Sequence, residues 1–350
     1  MHINSDLPTN SISPVKSPKQ PLVAVLTPMY NGERVLAECI RSVLAQTYSN
    51  FEYTIVNNCS TDRSLEIAEA FARQDARIRI YDNAKFLSVI DNYNNAFSLI
   101  PDQATYCKVV GADDWLFPSC LAEMVKVAEE NPTVGMVSSY VLVEQHVGWD
   151  GLPYPSTFTK GSEICRMRLL KHVKVFGGPS ASLLRSSALK ERQPFFKPNI
   201  HGDTEAFLDL LQNHDFGFVH QVLSYNRRGS ESPTTALLQR MNSYVAADIE
   251  ELMRFGPIYL TKEELETGLR AANEVYYKFL AESVLELRGK EFWDYHRDRM
   301  RELGRTIDYF KLSRYLVYRI IDAIFNPKRT IEGAARRVLK RAFAVPPSAT

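Results

Sequence analysis

LVAVLTPMYNGERVLAECIRSV, Leu22 to Val43, decides the fold. Its first six residues form an apolar run of strand length, and Leu36, Cys39, Ile40 and Val43 then recur at helical spacing. The stretch reads as a strand, a polar turn and an amphipathic helix. Outward from it the unit repeats. FEYTIV (Phe51 to Val56) precedes a helix near Ser64 to Ala72, and RIRIY (Arg77 to Tyr81) precedes a helix near Ser88 to Leu99. A fourth strand, TYCKVV (Thr105 to Val110), runs into GADD. Pro118 suits the first turn of the next helix, with Leu121, Met124, Val125 and Ala128 on its buried face, and a further strand lies within Val134 to Val143.

Strands alternating with helices predict an α/β fold, a mostly parallel sheet with helices on both faces. In such sheets ligands bind at the carboxyl ends of the strands. TPMYNGE, NNCSTD and GADD each follow a strand directly, so three separate pieces of chain are expected on one rim. Residues 145–200 are rich in Gly, Pro and aromatics and read less regularly, and long helical patterns take over after about residue 235. The expected organisation is a flexible tail over 1–20, an α/β domain over 21–235 and a helical region over 236–350.

Composition narrows the function. With 350 residues, 45% apolar and 11% aromatic, the chain buries a sizeable core. Lys plus Arg number 42 and Asp plus Glu 41, which gives no general reason to expect a nucleic-acid partner. Five cysteines, widely spaced and without a CxxC pair, read as reduced thiols of a cytoplasmic protein. No segment approaches the roughly 18 apolar residues of a spanning helix, and the polar first twenty residues lack a signal peptide. Over residues 301–350, however, eleven Lys or Arg stand against four acids, beside the apolar Leu316, Val317, Ile320, Ile321, Ala323, Ile324 and Phe325. Such a basic amphipathic helix suits anionic lipid headgroups at the inner membrane face, or packs with a solvated basic side on protein or a second subunit.

Asp113 and Asp114 are the chemically odd pair. Two carboxylates at the end of a buried strand repel unless a cation joins them or water solvates them. Oxygen-only ligands favour Mg2+ or Mn2+, bound through one or two carboxylates plus substrate phosphates. The competing reading is that the pair caps the helix near Pro118.

Three segments in order, TPMYNGERVLAECIRSVLAQTYSNFEYTIVNNCSTDRS, KVVGADDWLFP and HGDTEAFLDLLQNHDFGFVHQVLSYNRR, resemble the family 2 nucleotide-sugar glycosyltransferases, inverting enzymes of GT-A fold, over about residues 22–230. The resemblance implies a first loop, with Pro28, Tyr30, Asn31 and Glu33, against the nucleotide base and ribose. It makes Asn57, Asn58 and Asp62 the turn that contacts the base. Asp113 becomes the direct ligand of the metal on the diphosphate, Asp114 its neighbour, and Asp203 the catalytic base. Lys85 and Asn92 fall in a region that often faces the donor, although a lone Lys before a helix also reads as surface charge. Arg227 and Arg228 grip the diphosphate or form an ordinary solvated pair, and GGPSAS (Gly177 to Ser182) resembles an acceptor-side loop.

The chain departs from the family pattern in two places. Asn57 stands where Asp is usual, and Gly111 replaces the first acid of DxD. An amide both donates and accepts, so uracil still fits and a UDP-sugar is favoured. His201 either orients the base or is a plain loop histidine. Glu205 is the rival base, since residues two apart on a helix face different directions. The expected function is inverting transfer of a sugar to a hydroxyl of a saccharide or lipid-linked acceptor, in cell-surface polysaccharide or glycolipid synthesis, with homo-oligomerisation left open. One alternative is a domain that binds nucleotide sugar without turnover, to which Asn57 and Gly111 point. Another is a nucleotidyltransferase, but TPMYNGE is not the glycine-rich phosphate loop such an enzyme carries.

Overall fold

A computed structural model describes residues 20–149, 151–198, 201–227 and 240–326. Within it the strand and helix units follow the apolar pattern: β1 (Val23–Met29), α1 (Leu36–Leu44), β2 (Phe51–Asn57), α2 (Ser64–Ala72), β3 (Ile78–Asp82), α3 (Val89–Ser98) and β4 (Tyr106–Val109). β1 pairs in parallel with β2 and β4, and β2 with β3. Every residue of β1 is buried, as a strand covered on both faces requires. Leu36, Cys39, Ile40 and Val43 are the buried residues of α1, and Ser88 caps α3 by accepting the Asp91 amide.

The chain continues through β5 (Trp115–Leu116), α4 (Cys120–Glu130), β6 (Val134–Val143), β7 (His146–Gly148), β8 (Phe158–Thr159), α5 (Gly161–Leu169), β9 (Leu183–Arg185), α6 (Ser186–Lys190), α7 (Gly202–Leu210) and β10 (Asp215–Asn226). The sheet order is β3-β2-β1-β4-β9-β6-β10-β5, with β7 beside β6 and β8 beside β10. β9 runs antiparallel to both β4 and β6, while β10 is parallel to β6, so the sheet is mixed and mostly parallel. Pro118 lies before α4 rather than in its first turn. The N-cap is Ser119, and the Pro118 carbonyl accepts the amide and hydroxyl of Thr47.

Beyond residue 240 come α8 (Tyr244–Tyr259), α9 (Lys262–Leu285), α10 (Lys290–Glu302) and α11 (Tyr309–Phe325). α9 starts at a capping box, Thr261 accepting the Glu264 amide while Glu264 accepts the Thr261 amide. These helices share one hydrophobic core with a face of the sheet, where Ile249, Leu252 and Phe255 cluster with Phe176, Phe207 and Phe216. The expectations for the N-terminal tail, Arg228 and residues 327–350 lie outside the described residues. Among those described, no helix is long and apolar enough to cross a membrane, and the five cysteines are free.

Candidate active site

The carboxyl ends of β1 and β2 are locked to each other. After β1, Asn31 takes a left-handed conformation (φ 49°). There its Oδ1 accepts the Thr61 amide at 2.8 Å and its Nδ2 donates to the Thr61 hydroxyl at 3.2 Å. The Gly32 amide donates to Ser64 Oγ (2.7 Å), the Glu33 amide to Asp62 (3.0 Å) and the Arg63 amide to Glu33 (3.2 Å). Asp62 also accepts the Ser64 amide at 2.9 Å. Burial opposes its charge, but the hydrogen bonds from Ser64 and the Glu33 amide hold its carboxyl below the usual range. The polar side chains of Asn31, Glu33 and Asp62 are thus engaged within the two turns, and Pro28 is buried in β1 opposite Val56. Tyr30 does project. It is 48% exposed and meets the 59%-exposed Phe86, which sequence reasoning missed, edge-on at 4.8 Å.

Phe86 and the exposed Lys85 are presented by a loop that asparagines hold. Asn58 bonds both the carbonyl and the amide of Leu87, each at 2.9 Å. The Asn83 side chain donates to Asn58 (2.9 Å) and Asn92 (2.8 Å) and accepts from Asn95 (2.8 Å). Asn58 and Asn92 are therefore buried braces. Asn57 accepts the Ser60 amide and donates to Asp82 at 2.8 Å. Asp82, exposed at the end of β3, supplies a carboxylate at the spot where Asn57 lacks one.

At GADD the two aspartates part company. Asp114 is buried and accepts three hydrogen bonds: Ser180 Oγ at 2.5 Å, Asn226 Nδ2 at 2.6 Å and the Arg227 amide at 3.0 Å. Burial, then the charge of Asp113, pushes its carboxyl up to about 7. Asp113 is exposed, and its carboxylate takes no ion pair or side-chain hydrogen bond among the described residues. Neither carboxylate caps α4, so the helix-cap reading fails. Ser180 also accepts the Gly111 amide (2.9 Å), and its carbonyl accepts the ammonium of the fully buried Lys108 at 2.7 Å. The GGPSAS segment is thereby pinned beneath the aspartates. Gly111 is required there: a Cβ would stand 3.0 Å from Asp114 Oδ2 and 3.1 Å from Asp113 Oδ1. The Arg227 guanidinium reaches Glu38 (2.8 Å) and the Asp113 carbonyl (3.3 Å), bracing the turn from the side.

Does a hard cation fit here? Asn226 must turn its Nδ2 to the Asp114 carboxylate, which leaves its buried Oδ1 without a hydrogen-bond partner. An orphaned amide oxygen on the side chain that holds Asp114, and an open carboxylate on the residue before Asp114, are oxygen donors of the kind Mg2+ or Mn2+ takes. Among the described residues no cluster of three or more His, Cys, Asp or Glu could hold a metal ion. Such a cation would complete its shell with water and substrate phosphate.

The first turn of α7 repeats the division. Glu205 is buried among three cations, Arg192 at 2.6 Å, Arg254 at 2.7 Å and Lys197 at 3.4 Å. Its carboxylate is thereby committed to these cations. Asp203, two residues earlier and half-buried, takes the Thr204 amide at 2.7 Å and has no ion pair among the described residues. Burial raises its carboxyl above the usual range. His201 Nε2 pairs with Ser243 Oγ (3.0 Å), and its ring lies 4.7 Å from that of Tyr244, which ties the start of α7 to the helical layer. Tyr93 on α3, also missed, feels the charges of both acidic turns. Burial, and then the charges of Asp114, Asp113 and Asp203, raise its phenol.

Comparison with known proteins agrees with this architecture. Residues 24–193 match the sequence profile described as Glycosyl transferase family 2. The "uncharacterized glycosyltransferase EpsJ" of Bacillus subtilis is 38% identical over 111 residues, covering 32% of this chain and 31% of that protein. Matches to two further relatives cover 42% and 58% of their lengths, so the chain spans about a third to three fifths of these three relatives. Among solved structures, S. aureus TarS 1-349 in complex with UDP-GlcNAc superposes with a TM-score of 0.58 at 15% identity, over 80% of this chain and 79% of that one. The mannosyltransferase PcManGT of Pyrobaculum calidifontis, in complex with GDP-Man and Mn2+, gives 0.50 at 14% identity over 88% of each.

Proposed function

Since the chain carries a glycosyl transferase family 2 domain over residues 24–193, we propose that it is a metal-dependent inverting transferase moving a sugar from a nucleoside diphosphate to an acceptor hydroxyl. One observation carries the reading: the open carboxylate of Asp113 follows the GADD turn next to an Asp114 anchored by Ser180, Asn226 and the Arg227 amide, and the Asn226 side-chain oxygen is left unpartnered. The two structural neighbours hold UDP-GlcNAc and GDP-Man, which supports a nucleotide-sugar donor. A UDP-sugar is the first to try.

The roles follow from placement. Tyr30 and Phe86 offer the nucleotide base an aromatic edge and face, with Asp82 and Lys85 as polar contacts nearby. Asp113 and Asn226 would hold a divalent cation on the diphosphate, and Asp114 fixes their geometry. A cation so held stabilises the charge on the departing phosphate. Asp203, its proton affinity raised by burial, takes the proton of the acceptor hydroxyl as that oxygen attacks the anomeric carbon from the face opposite the phosphate. Inversion results. The acceptor is a saccharide or lipid-linked saccharide of a cell-surface polymer. The features that suggested lost turnover have structural explanations: Asp82 supplies the carboxylate missing at Asn57, and Gly111 makes room for both aspartates.

The test is nucleoside diphosphate release from a panel of UDP- and GDP-sugars, with saccharide acceptors, in Mn2+ or in EDTA. Cation- and acceptor-dependent release is expected. Donor-induced thermal stabilisation with no release under any condition would instead identify a binding protein.

A further inference from the structure

Helix α11 wears its apolar side outward. Its inner side is fixed by Leu312, which is buried, by Tyr315 stacked on Tyr277 of α9 (6.1 Å, 20°), and by Arg319 bound to Glu282 at 2.7 Å. The Lys311 ammonium lies 4.6 Å over the Tyr277 ring. These contacts set the helix rotation. On the opposite side Phe310, Val317, Ile321 and Ile324 recur at helical spacing, and Phe310, Ile324 and Phe325 are 76%, 66% and 78% exposed. A helix at rest on a soluble protein shows the reverse arrangement.

Charge identifies what this face meets. Arg314 is exposed within the apolar stripe. Asp308 serves as the N-cap, and Asp322 is taken by Arg319 and Asn326, so the helix's two acids are both engaged. Downstream, residues 328–341 carry six Lys or Arg against the single acid Glu332. A second copy docked on the same face would bring these positive segments together, which opposes association. The face is a single convex helix about 25 Å long. A convex apolar stripe needs a partner that yields to its shape rather than a preformed groove.

We propose that α11 is a membrane-surface element: it lies in the headgroup plane of an anionic bilayer, its outward isoleucines, valine and phenylalanines in the acyl boundary and Arg314 on the phosphates. This would hold the enzyme on the bilayer without a spanning helix. The inference stands on α11 and on the basic composition of the sequence that follows it, and does not depend on which sugar is transferred.

Flotation of the full chain with phosphatidylcholine vesicles, with and without phosphatidylglycerol, tests it. The protein should float with the anionic vesicles, several-fold less with neutral ones, and less again as salt rises. The variant carrying Val317→Glu and Ile324→Glu should lose roughly tenfold or more of the bound fraction while melting at the unchanged temperature, because both side chains already face solvent. Three results would overturn the proposal: no flotation with either vesicle, flotation indifferent to the two substitutions, or a wild-type dimer by light scattering that the substitutions split while vesicles bind neither form.

Discussion

The GADD turn and the first turn of α7 treat their paired acids alike up to a point. In each, one carboxylate is built into the scaffold and a neighbour is left open: Asp114 against Asp113, Glu205 against Asp203. The anchors differ. Asp114 is held by neutral donors, a hydroxyl, an amide side chain and a backbone amide, so no cation offsets its charge where it is ionised. Glu205 is held by three cations, so its charge is cancelled before it reaches Asp203. The first arrangement attracts a cation. The second leaves a lone base whose proton affinity is set by burial instead of by a second carboxylate.

The sharpest way to break this contrast is to neutralise the open members. Asp113→Asn and Asp203→Asn should each lower transfer by roughly 10²–10⁴-fold. The first should also abolish the Mn2+ requirement of donor binding, and the second should leave donor binding intact. If both lose donor binding equally, the division of labour is wrong. Next, Glu205→Gln strands buried cations and should cost about 3–5 kcal/mol of stability, read as a fall in urea midpoint. Lost turnover in a fully stable Glu205→Gln protein would instead restore it as the base.

Acid should act on the second turn more than on the first. His201 joins α7 to Ser243, and His296 joins Tyr276 to the Met241 carbonyl. Burial lowers both rings to about 4, with Arg299 adding to the effect at His201 and Arg288 at His296. Unfolded, each takes a proton near pH 6.5. Their stabilisation is therefore full above about 6.5 and drains as the pH falls toward 4, by on the order of 2 kcal/mol per ring at pH 5. Urea titrations at pH 7 and pH 5 should show the loss, and His201→Gln should remove about half of it. Smallest is Gly111→Asp, which restores the DxD spelling yet crowds two carboxylates. A cost of roughly 1–2 kcal/mol and weaker turnover are expected, and a gain in turnover would contradict the close packing described for this turn.

Much of the sheet was legible because β1 to β4 and their helices obey simple periods, strand by apolar run and helix by the Leu36–Cys39–Ile40–Val43 spacing. β9 was not, since three residues carry no period, and it enters the sheet only because β4 and β6 leave a gap of one strand. β10 was hidden by its own irregularity. Three register shifts, after Asp215, Val219 and Val222, break the alternation that marks a strand. At the site, residue types were readable but partners were not. Nothing in GADD announces Ser180, 66 positions away, and nothing in HGDTE announces Arg192 and Arg254. Asn58, Asn83, Asn92 and Asn95 look like loop residues until the fold brings them together.

That amide cluster has a consequence for how the proposed donor site would respond to its surroundings. Asn58, Asn83, Asn92 and Asn95 carry no proton to gain or lose and no charge for salt to screen. The loop bearing Phe86 is thus built on a support deaf to acidity and ionic strength. Changes in the medium should alter how strongly a donor's phosphates are held, while the shape offered to its base stays the same.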